Sequence, residues 1–267
     1  MVDSGVDLEG VLLDVDGTLT VAWRPLPGAA ETLSWLRGSG IPFLLATNAT
    51  SLSRHGLVSK LGEAGIEVRV EELLTASVAA AAYLRTHHPG ARCLLVGNPD
   101  VADELDGIEL VEEDAEVVLM AGADPAFTWE SLSRALRLLV GGAALVAMHR
   151  NLSWLTEDGL MLDAGAYVMG LERAAGVRAA VTGKPAPDFF RQGVELLGVQ
   201  ADRSAMVGDD LEADVLAAHA CGLTGVLVRT GKFRPETLRA SERRPDNVIG
   251  SIANLPELLG GSAQASS

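Results

Sequence analysis

Cysteine is scarce in this sequence. The 267 residues include only two, Cys93 and Cys221, which lie far apart and outside any Cys-x-x-Cys pattern. A disulfide framework or a zinc site needs several cysteines at characteristic spacings, so neither is expected here. The pattern is instead typical of two buried thiols in a reducing compartment, and we predict a cytoplasmic location.

Long apolar runs and positive charge are also in short supply. No uninterrupted apolar stretch approaches the roughly 18 residues of a membrane-spanning helix, and the polar segment 1–10 lacks the apolar centre of a signal peptide. Lysine and arginine number 21 against 36 aspartates and glutamates, which gives a net charge of −15. This balance predicts a protein that binds neither nucleic acid nor an anionic membrane. The tail, residues 260–267, is expected to be disordered.

Short runs of Val, Leu and Ile alternate with segments of helical periodicity along most of the chain. Strands are predicted at 11–13, 41–46, 92–96, 116–120, 143–148, 179–181, 204–207 and 225–228. Helices are predicted at 30–37, 54–64, 76–85, 129–140, 167–175, 188–197 and 211–221. Repeated β-α order predicts an α/β fold with a doubly wound parallel sheet covered by helices. Such sheets bind ligands beyond the carboxyl ends of their strands.

The segment DVDGT, residues 14–18, directly follows the first predicted strand. Asp14 and Asp16 can point to the same side of an extended turn, where one could attack phosphorus and the other transfer a proton. Gly17 would let backbone N–H groups approach a phosphate. A simple turn at a strand end would explain the same residues. A calcium loop would not, because it would place Leu12 and Trp23 at positions that require oxygen ligands.

Two further polar groups suit a phosphate. Thr47 and Asn48 end the second predicted strand, where a hydroxyl and a backbone N–H could bind a phosphate oxygen. Ordinary helix capping is the alternative for this pair. Lys184, held between a glycine and a proline, could neutralise both a phosphoryl oxygen and an ionised aspartate. An exposed loop lysine is the alternative for Lys184.

A third polar group contains carboxylates alone. Asp209 and Asp210 follow the strand predicted at 204–207, and Asp214 comes four residues after Asp210, so that both could face one side of a helix. Clustered carboxylates at a strand end suit Mg²⁺, which prefers oxygen ligands. Acidic residues that cap a helix N-terminus are the alternative explanation.

The order of these motifs is more specific than any one of them. DxDGT, a strand ending in Thr-Asn, GKP, and GDD-x₃-D together resemble the haloacid dehalogenase superfamily of phosphatases, over residues 11–259. The long insert between Asn48 and Lys184 is similar to the α/β C2 cap of subclass IIA, and GADPAFTW at 122–129 resembles that subclass's G-x-D-x-x-F-T-Y signature. The segments 158–163, 183–185 and 229–235 are most similar to the group that contains phospholysine phosphohistidine inorganic pyrophosphate phosphatase.

The resemblance implies roles for the matching positions. Asp14 would form an aspartyl-phosphate, and Asp16 would protonate the leaving group and then activate water. Mg²⁺ would be held by Asp14, the backbone carbonyl of Asp16 and Asp209. The other implied roles are phosphoryl binding by Thr47, Asn48 and Lys184, and support of the metal by Asp210 and Asp214.

The resemblance also implies two domains and a substrate class. The catalytic core would comprise 1–76 and 182–267, with the cap at 77–181. His149 and Arg150 follow a predicted strand of the cap, and we expect one of them to contact the distal part of the substrate; a solvated loop is the alternative. The expected activity is Mg²⁺-dependent hydrolysis of a small phosphorylated metabolite, by a homodimer formed through the cap. A phosphotransferase and a catalytically silent phosphate-binding regulator are the alternatives.

Overall fold

The computed structural model describes residues 8–156 and 159–260. The predictions for segment 1–7, for Asp158 and for the tail from 261 therefore lie outside the described residues. Contacts divide the chain into two compact units. The first unit comprises Met1–Thr47, Val58–Leu74 and Phe190–Ser267, and the second comprises Asn48–Leu57 and Thr75–Phe189.

These units differ slightly from the predicted domains. Segments 48–57, 75–76 and 182–189, predicted to belong to the core, cluster with the second unit. The two units are defined by contacts, whereas the predicted core and cap are defined by function. The predicted core and cap therefore stay a prediction about function.

The elements are as follows. The strands are β1 Gly10–Leu13, β2 Thr20–Val21, β3 Arg24–Pro25, β4 Phe43–Thr47, β5 Leu73–Thr75, β6 Arg92–Val96, β7 Glu109–Leu110, β8 Val117–Met120, β9 Ala144–Ala147, β10 Ser153–Thr156, β11 Gly159–Leu162, β12 Ala180–Val181, β13 Ser204–Gly208, β14 Thr224–Val228 and β15 Asn247–Ile249. The helices are α1 Ala29–Gly38, α2 Arg54–Glu63, α3 Ala76–His87, α4 Trp129–Val140, α5 Ala164–Ala175, α6 Pro187–Leu197, α7 Ala217–His219, α8 Pro235–Ala240 and α9 Leu255–Leu258.

The first unit is built on a six-stranded sheet in the order β15-β14-β13-β1-β4-β5. The first five strands in this order, β15 to β4, pair in parallel with one another. β1, β4 and β13 are buried along their whole length, as expected of apolar strands covered on both faces. Parallel strands end at the same edge, so the residues that follow β1, β4, β13 and β14 share the carboxyl edge of one sheet. The predicted α/β fold class is confirmed.

The second unit contains a five-stranded sheet in the order β12-β9-β8-β6-β7, paired in parallel, and a separate antiparallel hairpin, β10–β11. Threonine side chains cap two helices of this unit. Thr75 Oγ1 accepts a hydrogen bond from Val78 N at 3.3 Å, and Thr128 Oγ1 accepts one from Ser131 N at 3.1 Å. Each hydroxyl satisfies an N–H group that the first turn of a helix would otherwise leave unpaired.

The helix predicted at 211–221 differs from the structure. A wide, π-helical turn occupies Leu211–Leu216 and only a short α-helical segment, α7, follows it. The carbonyl of Asp210 accepts from both Asp214 N (3.1 Å) and Val215 N (3.3 Å), and the second bond spans five residues. That longer bond widens the turn directly after the acidic motif.

Two further predictions concern burial and membranes. Cys93 is buried as predicted, whereas Cys221 is only partly buried. Burial, and then the charge of Glu116, raises the pKa of Cys93 to about 11, so that its thiol is unreactive near neutral pH. Within the described residues, no helix has both the length and the apolar character needed to cross a membrane.

Candidate active site

Three buried aspartates meet at the carboxyl edge of the sheet in the first unit. Carboxylate oxygens of Asp14, Asp209 and Asp214 all lie within 4.8 Å of one another, and each residue is at most 6% exposed. Three carboxylates this close repel one another strongly in a buried site unless protons or a cation offset their charge. The arrangement therefore suits a cation.

Asp14 and Asp16 occupy different environments in the turn after β1. The Asp14 backbone N–H donates to Val207 O at 2.9 Å, which joins β1 to β13, and Thr18 Oγ1 donates to Asp14 Oδ2 at 3.3 Å. Asp16 is exposed while Val15 between them is buried. One carboxylate is thus fixed inside the site, and the other is accessible to a proton donor or acceptor.

Asp209 follows β13, and its two oxygens have different surroundings. Oδ2 accepts a hydrogen bond from the backbone N–H of Lys232 at 2.6 Å. Oδ1 is buried, and no residue in the described part of the chain forms a hydrogen bond with it. Burial, and then the charges of Asp14 and Asp214, raise the pKa of Asp209 to about 8. A metal ion at Oδ1 would offset both the burial of the charge and the repulsion by Asp14 and Asp214.

The other two acidic residues act differently from each other. Asp210 Oδ1 accepts from the backbone N–H groups of Glu212 and Ala213 and caps the wide turn. Asp214 places its carboxylate in the cluster, and its Oδ2 accepts from Asp210 N at 3.2 Å. Gly208 makes room for this, since a Cβ there would lie 2.3 Å from Asp214 Oδ2. Both remain predicted supports of the metal.

These residues fit Mg²⁺. The donor set is made of oxygens, which a hard cation prefers, and Asp209 contributes a buried oxygen without a hydrogen-bond partner among the described residues. A divalent cation that binds carboxyl groups also displaces their protons into solvent. The predicted ligands Asp14 and Asp209 are brought together, whereas the Asp16 carboxylate is not part of the cluster. Metal binding by the Asp16 backbone carbonyl stays a prediction.

The predicted phosphoryl-binding residues lie at the end of β4 and in the second unit. Thr47 is buried as the last residue of β4, and Asn48 follows it directly. The Asn48 side chain donates from Nδ2 to Lys184 O and accepts at Oδ1 from Lys184 N, both at 2.9 Å. Gly183 permits this approach, because a Cβ there would lie 2.5 Å from Asn48 Oδ1. Lys184 is buried, not an exposed loop residue.

His149 and Arg150 both form contacts inside the second unit. His149 is buried, with its Nε2 3.2 Å from Thr50 Oγ1. Arg150 forms a two-fold hydrogen-bonded ion pair with Glu172, at 2.9 and 2.7 Å. Burial acts to raise the pKa of Glu172, but the hydrogen bonds from Arg150 and from Ala179 N hold this pKa below its ordinary value. Substrate contact by His149 or Arg150 stays a prediction.

Sequence reasoning missed one part of the site, the loop after β14. Thr230 Oγ1 donates to Gly17 O, and Lys232 N donates to Asp209 Oδ2. The signal was available, since β14 is parallel to β13 and must end at the same sheet edge. Segment 229–235 entered the sequence analysis only through its similarity to the family, with no role in the site assigned to it.

Two family models match the chain, one described as haloacid dehalogenase-like hydrolase over residues 11–111 and one as HAD-hydrolase-like over residues 181–255. The chain belongs to the haloacid dehalogenase-like hydrolases. It is 33% identical over 262 residues to the phospholysine phosphohistidine inorganic pyrophosphate phosphatase of Rattus norvegicus, which covers 96% of this chain and 95% of the relative. It is also 34% identical over 227 residues to the human haloacid dehalogenase-like hydrolase domain-containing protein 2, over 85% of this chain and 86% of the relative.

Solved structures agree with this assignment. A 4-nitrophenylphosphatase from Thermotoga maritima superposes with a TM-score of 0.89 at 30% identity, over 96% of this chain and 99% of that one. A glycerol phosphate phosphatase from Mycobacterium tuberculosis in complex with magnesium superposes with a TM-score of 0.87 at 30% identity, over 96% of this chain and 78% of that one. The family resemblance is confirmed, and the protein is an enzyme of the phosphatase class.

Proposed function

We propose that this enzyme is a Mg²⁺-dependent phosphatase that hydrolyses a small phosphomonoester, or a related P–N compound, through an aspartyl-phosphate on Asp14. The observation that carries the proposal is the buried cluster of Asp14, Asp209 and Asp214. Its position beyond the carboxyl ends of β1 and β13 is where open α/β sheets bind ligands. A relative with a magnesium-containing structure supports the choice of metal.

The proposed reaction has two displacement steps at phosphorus. An oxygen of Asp14 attacks phosphorus, the bond to the leaving oxygen or nitrogen breaks, and protonated Asp16 gives that atom its proton. Water then attacks the aspartyl-phosphate, Asp16 takes up a proton from the water, and inorganic phosphate leaves with the Asp14 carboxylate restored. Bound Mg²⁺, on Asp14, Asp209 and the Asp16 carbonyl, would neutralise negative charge on Asp14 and the phosphoryl oxygens.

Phosphoryl binding is assigned to Thr47, Asn48 and Lys184. Lys184 supports this role because it is a buried cation, and burial of an ammonium group is costly unless it serves anionic groups. The two hydrogen bonds from Asn48 fix the backbone of Lys184. A lysine with a fixed backbone can present its charge in one place, which phosphoryl transfer requires.

The substrate is proposed to be a small metabolite. With a net charge of −15, the protein surface disfavours large polyanions such as nucleic acids and anionic membranes. The named activities of relatives cover 4-nitrophenyl phosphate, glycerol phosphate, and phospholysine, phosphohistidine and pyrophosphate. Both P–O and P–N compounds therefore belong in a substrate screen. The cytoplasmic location stays a prediction.

Release of inorganic phosphate from p-nitrophenyl phosphate tests the proposed function. We expect hydrolysis with Mg²⁺, loss of activity with a chelator, and recovery when Mg²⁺ is restored in excess. A panel of phosphomonoesters and P–N compounds would then identify the substrate class, and analysis of products with alcohols added would reveal transfer to an acceptor. Chelator-resistant hydrolysis, or none on the whole panel, would contradict the proposal.

We also propose that two copies associate through the second unit. Exposed apolar side chains gather at the hairpin β10–β11 and at helix α5, which contacts β10. They are Leu160, Met161 and Leu162 on β11, Leu152 just before β10, and Met169 on α5. Apolar groups gathered in this way usually mark an interface. Light scattering should give a dimer mass for the wild type and a monomer mass for Leu160→Asp, whereas Leu196→Asp, an exposed leucine elsewhere, should leave the mass unchanged. A monomeric wild type would contradict the proposal.

A further inference from the structure

The loop after β14, residues 230–232, contacts the carboxylate of Asp209 through its backbone. The Lys232 N–H donates to Asp209 Oδ2 at 2.6 Å. Two residues earlier, Thr230 Oγ1 donates to the carbonyl of Gly17 and joins the loop to the turn after β1. The 230–232 loop therefore connects the two turns that carry Asp14 and Asp209.

Two glycines enclose the Asp209 carboxylate. A Cβ on Gly17 would lie 1.8 Å from Asp209 Oδ2, and one on Gly231 would lie 2.0 Å from the same atom and 2.5 Å from the Gly17 Cα. Both glycines have positive φ, +97° and +54°, which side-chain-bearing residues rarely adopt. A side chain at either position would collide with the carboxylate, and one at position 231 would also collide with the Gly17 backbone.

The two oxygens of the Asp209 carboxylate differ in their hydrogen bonds. Oδ2 is held by a backbone donor, and Oδ1 has no hydrogen-bond partner among the described residues although it is buried. A buried carboxylate oxygen without a partner is costly. A site that tolerates it in this fixed orientation is prepared for a ligand that the protein does not itself provide.

We propose that the 230–232 loop is a positioning element that fixes Asp209 so that Mg²⁺ is bound through Oδ1 alone. The inference rests on the proposed Mg²⁺-dependent function. Backbone partners that orient a metal ligand are known to change metal affinity about 10- to 100-fold when lost. The loop would act in the same way, because the Lys232 N–H and Gly231 both lie against Asp209 Oδ2.

The Lys232 side chain should have the opposite effect on the metal. Its Nζ lies 3.6 Å from Asp210 Oδ2, and the side chain is 60% exposed. The ammonium therefore repels an incoming cation, and removing it should strengthen Mg²⁺ binding.

Mg²⁺ titration of the metal-free protein by calorimetry tests the positioning role. We expect Gly231→Ala to weaken Mg²⁺ binding at least about tenfold, because the new Cβ displaces Asp209. Gly40→Ala is the matched control: Gly40 has a comparable φ of +69°, and its Cβ would meet nothing within 4 Å. It imposes the same backbone strain without touching the carboxylate, so Mg²⁺ affinity should stay unchanged.

Three further variants separate positioning from folding. Thr230→Val should weaken Mg²⁺ binding several-fold while KM for p-nitrophenyl phosphate at saturating Mg²⁺ stays constant, and Thr230→Ser should restore it. Lys232→Met keeps the backbone donor and should strengthen Mg²⁺ binding a few fold, more at low salt. Unchanged Mg²⁺ affinity in both Gly231→Ala and Thr230→Val would overturn the proposal.

A metal-independent readout distinguishes failure of this inference from failure of the proposed function. The Lys232 amide proton, bonded to a carboxylate, should resonate at low field and exchange slowly in the wild type and in Gly40→Ala. It should lose both properties in Gly231→Ala. If the wild type bound no Mg²⁺ but showed this amide signal, the metal function would fail while the fixed Asp209 remained. Absence of the signal in the wild type would overturn the positioning role itself.

Discussion

Asp14→Asn is expected to reduce phosphate release from p-nitrophenyl phosphate by at least about a thousandfold. The amide cannot act as the attacking oxygen nucleophile, and the aspartyl-phosphate cannot form. Removing one of three neighbouring carboxylates also relieves repulsion, so the metal-free variant should unfold no more easily than the wild type. Loss of activity together with unchanged or increased Tm would separate a chemical role of Asp14 from a structural one.

Two measurements make this prediction specific. Acid-quenched wild-type protein, incubated with phosphate-labelled substrate, should retain label that Asp14→Asn lacks. Asp202→Asn is the matched control, because it removes one exposed carboxylate of the same unit and should keep full activity. Equal rates for the wild type and Asp14→Asn would refute the assignment of the nucleophile.

The central strands were predictable because burial on both faces requires unbroken apolar runs. β1 and β13 have this pattern and were predicted to within one residue at each end. The hairpin β10–β11 was not predicted, since its exposed leucines and methionine give no alternation of apolar and polar residues. The short edge strand β15 was missed as well, because three half-buried residues carry too little pattern.

The candidate site was predictable in its chemistry but not in its contacts. Motif order indicated Asp14 and Asp209, and parallel strands explain why they meet. The sequence argument placed Asp210 and Asp214 on one side of a helix, whereas Asp210 caps the wide turn and Asp214 alone enters the cluster. This difference depends on the five-residue hydrogen bond from Val215 N to Asp210 O, which no spacing rule reveals.

Contacts between distant residues were beyond the sequence for a simpler reason. The close packing around Asp209 needs Gly17 and Gly231 beside the same carboxylate oxygen, and the two are separated by most of the chain. Glycine in a turn indicates backbone freedom in general. Which atom approaches such a glycine is decided by tertiary structure, and here that atom is Oδ2 of Asp209.

Asp209→Asn is expected to make the metal-free protein more stable while it abolishes stabilisation by Mg²⁺. Burial, and then the charges of Asp14 and Asp214, raise the pKa of Asp209 to about 8 from an ordinary value of 3.8. Between these values the folded state keeps a proton that the unfolded state has lost. The stability of the metal-free wild type should therefore fall as pH rises from about 4 to about 8, by at most about 1.4 kcal/mol per pH unit, and level off above that.

Asparagine at position 209 has no such proton to lose. Its Oδ1 can still accept from Lys232 N, and its amide can donate toward Asp14 or Asp214, so the Tm advantage of the variant should widen from pH 5 to pH 8. In the presence of Mg²⁺ the order should reverse, because the wild type gains about 2.7 kcal/mol at a metal concentration of 100 Kd and the variant gains little.

Thermal unfolding at pH 5 and pH 8, with a chelator and with Mg²⁺, measures all of these effects in one series. The crossing of the two stabilities is the informative result, since a residue needed only for packing would lower Tm under every condition. An Asp209→Asn protein that is less stable than the wild type in chelator at pH 8, yet is still stabilised by Mg²⁺, would contradict both the metal role and the electrostatic cost assigned to Asp209. The cost of an uncompensated buried carboxylate is thus the physical reason that a metal ligand here should appear destabilising until the metal is present.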